Sequence, residues 1–403
     1  MKFFTSANVA TLVNEIVKNM TGDNSTIVSE DLSNLVDVGT VIANNTTIEN
    51  FRNVATGFFD RIGKIVYSSI KKNEYDTYDL GVDMSEFATM LEKIYINPID
   101  FEQSYHYANS GGSSFADMFN YHNLTFNVSL YDKMGVFRTK PYSIGIDRFK
   151  SAFVTESELM KMIGEISNMI STMYMYAIQS TEKRVANELI CSCAVKNNTR
   201  VIDLLKVCKD ETGVTYTTSN YKTEHFYKFA TSYMEKIGKL MAMPTKNFND
   251  GTKIINTLDD DIRKVMITDF KQDVNTFAYA GVYNVEYLPK ISDWREVPCW
   301  QNSNERFKIK ITPSNVYAGV VDNTKTITTI QIDNVVGAIF DRRGAFYAPT
   351  KIKTGVQSND FDEHVNYIHK FNVRECTDIS ENCVVFVLCD ASGTNKAYTL
   401  TET

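Results

Sequence analysis

Thr155-Glu156-Ser157-Glu158-Leu159-Met160-Lys161-Met162-Ile163 opens the most strongly patterned stretch of the chain. Thr155 and Glu158 fit a capping box ahead of an apolar run. From there Leu159, Ile163, Ile166, Ile170, Met173 and Ala177 follow alternating spacings of four and three, and Val185 and Leu189 extend the stripe. That period lines one face of a helix. The helix is expected to run about 35 residues, or ~50 Å at 1.5 Å per residue. This is roughly three times the ordinary mean, and Leu159, Ile163, Ile166, Ile170 and Met173 are its expected core. A compact domain of this size does not need so long a helix.

After it the signals become α/β. A second amphipathic helix is expected over Thr223 to Met241, with Phe226, Phe229, Tyr233, Ile237 and Leu240 on one face, and a third from near Asp259 to Phe270. Strand candidates are Lys253 to Asn256, Ala280 to Tyr287, Phe307 to Ile311, Thr326 to Ile332, Val335 to Phe340, Tyr367 to Arg374 and Cys383 to Leu388. No internal repeat has a solenoid period.

Before the long helix, residues 1–58 hold one short periodic stretch at Val9, Leu12, Val13, Ile16 and Val17, then a polar segment rich in Asn, Thr and Asp. Such a segment is too poor in large apolar residues for a core of its own and reads as an extended arm lying on something else, with a disordered terminus as the alternative. In residues 59–150, Gly63 to Ile70 and Leu124 to Tyr131 read as two half-buried strands about 55 residues apart. Between them lie Gly111-Gly112-Ser113-Ser114 and the aromatics Tyr75, Tyr78, Tyr95, Tyr105, Tyr107 and Tyr121. A connection this long is a functional excursion. Its aromatics would be unfavourable in water, so they are expected to dock on a partner.

The composition is that of a folded protein: of 403 residues, 43% are hydrophobic, 23% charged and 12% aromatic. At roughly 150 residues per domain this length points to about two to three units. Lys and Arg number 42 against 49 Asp and Glu, giving a formal charge of −7, the opposite of a dedicated nucleic-acid binder. Seven cysteines without a C-x-x-C pair indicate reduced thiols in a cytosolic compartment. There is no signal-peptide pattern and no apolar run near the ~20 residues that span a bilayer.

Chemistry-bearing motifs are few. The five His (His106, His122, His225, His364, His369) include no i, i+4 pair, and Cys191 and Cys193 sit too far apart around a helix to share one ion. Asp259-Asp260-Asp261 reads as an acidic first helical turn facing the macrodipole. A divalent-metal cluster is the weaker alternative there. Arg342-Arg343-Gly344 reads as a charged turn between strands, with phosphate pairing as the alternative. Lys71, Lys72, Arg138 and Lys140 are either contacts to an acidic partner or a solvated face. No nucleophile elbow, P-loop or dinucleotide fingerprint is present. No catalytic residue, cofactor or metal is expected.

The order of parts carries more than any motif: polar arm, long aromatic excursion, very long helix, then a mixed region closing in strands. The patches Asp60-Arg61-Ile62-Gly63-Lys64, Asp147-Arg148-Phe149-Lys150-Ser151-Ala152-Phe153, Val335 to Arg343, Phe361 to Phe371 and Ile379 to Phe386 occur in that frame. In these features the sequence resembles the major capsid proteins of tailed phages with the Hong Kong 97 fold, particularly those of small podoviruses.

The resemblance implies an α+β fold. Its parts would be an N-terminal arm (1–58), an E-loop and its base (59–150), a peripheral domain with the spine helix (151–200), an axial domain (201–348) and return strands of the peripheral domain (349–403). The strand Cys383 to Leu388 would return beneath the spine. The implied function is self-assembly into hexamers and pentamers of an icosahedral shell around double-stranded DNA. The implied location is the virion, with assembly in the host cytoplasm. The expected partners are further copies of the chain, a separate scaffolding protein, a portal and weak, sequence-independent DNA contacts, with no membrane. The separate scaffold is expected because the arm is too short to be a removable scaffolding segment. The competing readings are an α/β enzyme using carboxylates near Asp259, and an encapsulin-like cellular compartment.

Overall fold

The computed structural model describes residues 10–11, 14, 18, 28–29, 33, 78–82, 91–96, 126–131, 134–145, 156–196, 198–251, 253–279, 293–312, 327–359, 364–390 and 398–402. In chain order these residues give β1 (Leu91–Ile96), β2 (Phe126–Tyr131), β3 (Met134–Arg138), β4 (Tyr142–Gly145) and α1 (Glu156–Lys196). Next come β5 (Val201–Asp203), α2 (Leu204–Thr212), α3 (Glu224–Met241), β6 (Ile262–Ile267), α4 (Thr268–Val274), β7 (Arg295–Val297) and β8 (Ile309–Ile311). The chain ends with β9 (Ile327–Ile332), β10 (Val335–Asp341), β11 (Ala345–Asn359), β12 (His364–Thr377), β13 (Cys383–Val387) and β14 (Tyr398–Glu402). Packing divides it into two compact units: residues 1–88, 133–182 and 347–375, and residues 89–132, 183–346 and 376–403.

The first unit is built on β12. It pairs antiparallel with β3 from Lys370↔Arg138 to Arg374↔Met134, and with β4 from His364↔Gly145 to Tyr367↔Tyr142. Every second residue from Val365 to Val373 is buried, the period of a strand with one face on a core. Phe371 on that face lies with its ring 5.2 Å from that of Tyr174 on α1. Buried His369 is satisfied: its N–H donates to Thr139 Oγ1 at 2.9 Å, and its ring nitrogens meet Tyr142 Oη at 2.7 Å and Thr354 Oγ1 at 3.2 Å.

α1 has 41 residues, somewhat longer than its spacing predicts. Leu159, Ile163 and Ile170 are buried as expected, but Ile166 and Met173 are only half-buried. Their places in the core are taken by Ser167 and Tyr174, one position further on. A helix of 3.6 residues per turn drifts off any fixed seam, and the Phe371 ring selects an aromatic where the pattern shows Met173. Thr155, the expected cap, lies outside the described residues.

The second unit centres on a sheet of order β5, β13, β10, β6, β7. β13 pairs parallel with β5 and β6 with β7, while β10 runs antiparallel to both of its neighbours. All seven residues of β10 and all five of β13 are buried, so both faces are covered and the strands read as unbroken apolar runs. Trp300 is fully buried against this sheet, donating Nε1 to Val335 O at 2.9 Å, and its own carbonyl accepts from Asn187 Nδ2 of α1 at 2.9 Å. Cys193 Sγ reaches Cys383 O at 3.6 Å.

Local capping sets the helices. Asp203 accepts from Leu205 N at 3.1 Å to start α2, which ends at Gly213 with φ +74°, a left-handed C-cap that glycine adopts without strain. Thr223 Oγ1 accepts from Phe226 N to start α3. The buried face of α3 is Phe226, Tyr227, Ala230, Met234, Ile237 and Met241, whereas Phe229 and Tyr233 are half-buried and Leu240 is exposed.

The structure departs from several of these expectations. Asp259 to Phe270 is not one helix: Ile262–Ile267 is β6, and only Thr268–Val274 is helical. Ile262, Val265 and Met266 fit a helical face and a doubly buried strand equally well, and the burial of five of the six residues decides for the strand. The acidic triplet is therefore a turn before a strand. Cys383 to Leu388 is not a return strand of the lobe built on β12, because β13 lies between β5 and β10 in the second unit's sheet. The strand found at β2 pairs with β1, from Leu91↔Tyr131 to Ile96↔Phe126, a segment that sequence patterning had not marked. Gly63 to Ile70 and Ala280 to Tyr287 lie outside the described residues, and Lys253 to Asn256 contributes only a bridge between Ile255 and Thr245.

Candidate functional site

Alternation along β1 puts Lys93 and Tyr95 on one face and Ile94 on the other. Ile94 is 59% exposed. Lys93 Nζ donates to Asp378 Oδ2 at 2.9 Å, to Glu381 Oε1, and to the Arg343 carbonyl at 3.3 Å. The two carboxylates are 8% and 4% exposed and Lys93 is 21% exposed. Burial disfavours the lysine charge, but Asp378 and Glu381 more than offset it and hold its pKa above the ordinary value. Burial likewise opposes ionisation of Asp378, and Lys93 and Ser380 reverse that, leaving its pKa below the ordinary value.

Tyr95 completes the grip. Its Oη donates to Ile254 O at 2.9 Å, and Lys253 Nζ sits 4.8 Å from the ring centroid while donating to Ser380 Oγ at 2.8 Å. Ser380 in turn donates to Asp378 Oδ1 through its N–H at 3.0 Å and its hydroxyl at 2.7 Å. The hairpin base thus stands on the turn that follows β12.

Alongside lies a second charge cluster. Asp341 is fully buried and accepts from Thr257 Oγ1 at 2.8 Å, Arg343 N at 2.8 Å and Arg343 Nη2 at 2.7 Å. The Arg343 guanidinium also donates to Asn256 O at 3.0 Å. Asp341 therefore uses Arg343 to cap a charged turn, Arg342–Gly344, between β10 and β11.

A cavity of about 950 Å³ lies against α3 and β6. Asp259, Glu235, Lys236, Lys264 and Asp293 are among the residues that line it. Glu235 is engaged there by Lys264 Nζ at 2.8 Å and Trp294 Nε1 at 2.6 Å. Glu235 and Lys264 thus form an ion pair within this lining. Among the described residues no group of three His, Cys, Asp or Glu side chains is placed to hold a metal ion.

Tyr78 is fully buried within its own unit, and its N–H donates to the Glu182 carboxylate. The expectation of an exposed ring for a neighbour to cover is corrected there. Tyr95 anchors its own chain. Tyr75, Tyr105, Tyr107 and Tyr121 lie outside the described residues, as do Lys71 and Lys72, while Arg138 and Lys140 are exposed. Lys93, Asp378 and Glu381 were not found by sequence reasoning. Their partners are 285 and 288 residues apart, and no local pattern marks such a pair.

A family-wide sequence profile described as Phi29-like phage major capsid protein matches residues 13–387. Among solved structures, the capsid of Staphylococcus phage Andhra is similar at 11% identity, covering 79% of this chain and 84% of that chain, with a TM-score of 0.49. The head fiber and inner core protein structure of native bacteriophage P68 matches at 10% identity over 76% and 83%, with a TM-score of 0.48. The capsid of cyanophage Pam1 matches at 11% over 77% and 88%, at 0.40. No curated protein matches significantly. Among the described residues no helix is long and apolar enough to cross a membrane.

Proposed function

The chain belongs to the Phi29-like phage major capsid protein family, and from that premise we propose that it builds an icosahedral shell of hexamers and pentamers around double-stranded DNA, acting through structure without catalysis. The family match over residues 13–387 carries this reading. The architecture supports its parts. The unit containing β12 and most of α1 takes the role of the peripheral domain of a Hong Kong 97-like fold, and the unit built on β10 and β13 that of the axial domain.

The β1 and β2 hairpin, whose strands are joined by residues 97–125, takes the role of the E-loop base. A two-stranded ribbon is marginal alone in water, so its ionic anchorage supports a built element that carries this connection to a neighbouring copy. The net charge of −7 favours weak, sequence-independent DNA contact confined to one face. A scaffolding protein and a portal are the further partners of this reading, and co-expression with each tests them.

Negative-stain electron microscopy of the purified chain, alone and with a scaffold, tests the assembly. Icosahedral or capsomer-like particles are expected, and a stable small monomer under all conditions would contradict it. Deleting Tyr105 to Tyr121 should leave a soluble chain that does not form shells. Normal particles from that deletion would remove the intersubunit role of the excursion.

A further inference from the structure

We propose that Lys93 is the positioning residue of the β1 and β2 hairpin: by bridging Asp378 and Glu381 it fixes on its own unit the base of the connection between the two strands. The inference rests on the reading of that connection as an intersubunit element.

Among the described residues the hairpin's ladder joins β1 to β2 and no further strand, so its placement there depends on side chains. Among the described side chains of β1, the polar links outward come from Lys93 and Tyr95, on one face. Of these, Lys93 alone brings charge. It faces Asp378 and Glu381 on the turn after β12 and the Arg343 carbonyl on the turn after β10, with the Cys376 thiol and Tyr95 also close. The Arg343 guanidinium is held by Asp341. Lys253 serves Ser380 and the Tyr95 ring. Lys93 thus bonds directly to both nearly buried anions, and the Arg343 guanidinium adds a longer-range attraction to Glu381.

That arrangement has a distinctive mutational signature. Removing Lys93 alone leaves two nearly buried carboxylates without the cation that bonds to both, which disturbs the structure more than replacing the whole set by neutral groups of similar shape. A side chain that merely filled space would show no such rescue.

The test is hydrogen exchange on the full-length chain, with shell formation scored by electron microscopy. Three proteins are compared: wild type, Lys93→Met, and Lys93→Met/Asp378→Asn/Glu381→Gln. Lys93→Met is expected to speed exchange at the amides of 91–96 and 126–131 by about tenfold or more, while those of Val335–Asp341 hold. Shell yield should fall with it, and the triple variant should recover both. If Lys93→Met does not fold, recovery of folding and hairpin protection in the triple variant carries the same support, and failure of the triple variant to recover overturns the proposal. Unchanged hairpin exchange in Lys93→Met overturns the positioning role while leaving the connection's intersubunit role intact. Faster hairpin exchange with normal shells overturns the assembly consequence and, with it, that intersubunit role.

Discussion

Gly344 and Leu189 meet so closely that a Cβ on Gly344 would lie 3.1 Å from Leu189 Cδ2. The same atom would lie 3.1 Å from Glu381 Cβ and 3.4 Å from Asp378 O, and Asp378 N donates to Gly344 O at 2.7 Å. The turn carrying both acidic partners of Lys93 is therefore seated on a glycine next to the long helix. Gly344→Ala should destabilise the unassembled subunit by about 1–3 kcal/mol through overpacking. Urea denaturation followed by circular dichroism would measure it, and an unchanged midpoint would show that the turn shifts freely.

The long helix gives a positional prediction. Leu159→Asp and Ile170→Asp each place an unpaired charge at a site with no exposure and should prevent folding. Ile166→Asp, at a half-buried site, should give a folded but weakened chain, and Met169→Asp, at a position 42% exposed, should melt within a few degrees of wild type. Equal effects at Ile166 and Ile170 would return the buried seam to the one the spacing implies.

The charge cluster gives a pH window. Asp378 has a lowered pKa, so its contribution is complete above the ordinary value of 3.8 and is lost as pH falls through its lower folded value. Lys93 has a raised pKa, so its contribution is complete below 10.5 and is lost as pH rises through its higher folded value. Between those limits the stability gap between wild type and Asp378→Asn should be flat, and it should close below about pH 4. A gap that already changes between pH 5 and 8 would assign the dependence to other groups.

Trp300 joins α1 to β10 through two hydrogen bonds, one accepted and one donated. Trp300→Phe removes the bond to the Val335 carbonyl and should cost about 1–3 kcal/mol, while Trp300→Ala should cost about 3–5 kcal/mol. Chemical denaturation of both variants would separate the polar part from the volume part. A Trp300→Phe variant as stable as wild type would mean that the indole N–H contributes nothing.

Much of the architecture is legible in the sequence because its signals are local and periodic. Leu159 to Leu189 announces a long helix through spacing alone, Thr223 caps α3, and Val335 to Phe340 and Cys383 to Leu388 stand out as apolar runs. Legibility fails where packing chooses between equivalent patterns. Ser167 and Tyr174 are buried although neither is a simple aliphatic, and Ile262 to Ile267 has a spacing that suits helix and strand alike. It fails again where the partner is remote in sequence. Nothing near Lys93 points to Asp378, and nothing near Val201 foretells its parallel pairing with Val385. The bridge from Lys93 to Asp378 and Glu381 was invisible for this reason.

β12 has a consequence for how such a sequence can diverge. From Val365 to Val373 its odd-numbered residues are buried and its even-numbered ones half-exposed. Substitutions at Asn366, Ile368, Lys370 and Asn372 can therefore accumulate with little effect on the core, while their immediate neighbours stay constrained. A saturation library across this strand should show tolerance alternating with a period of two. The open face can change with each new environment, and the chain beneath it keeps its fold.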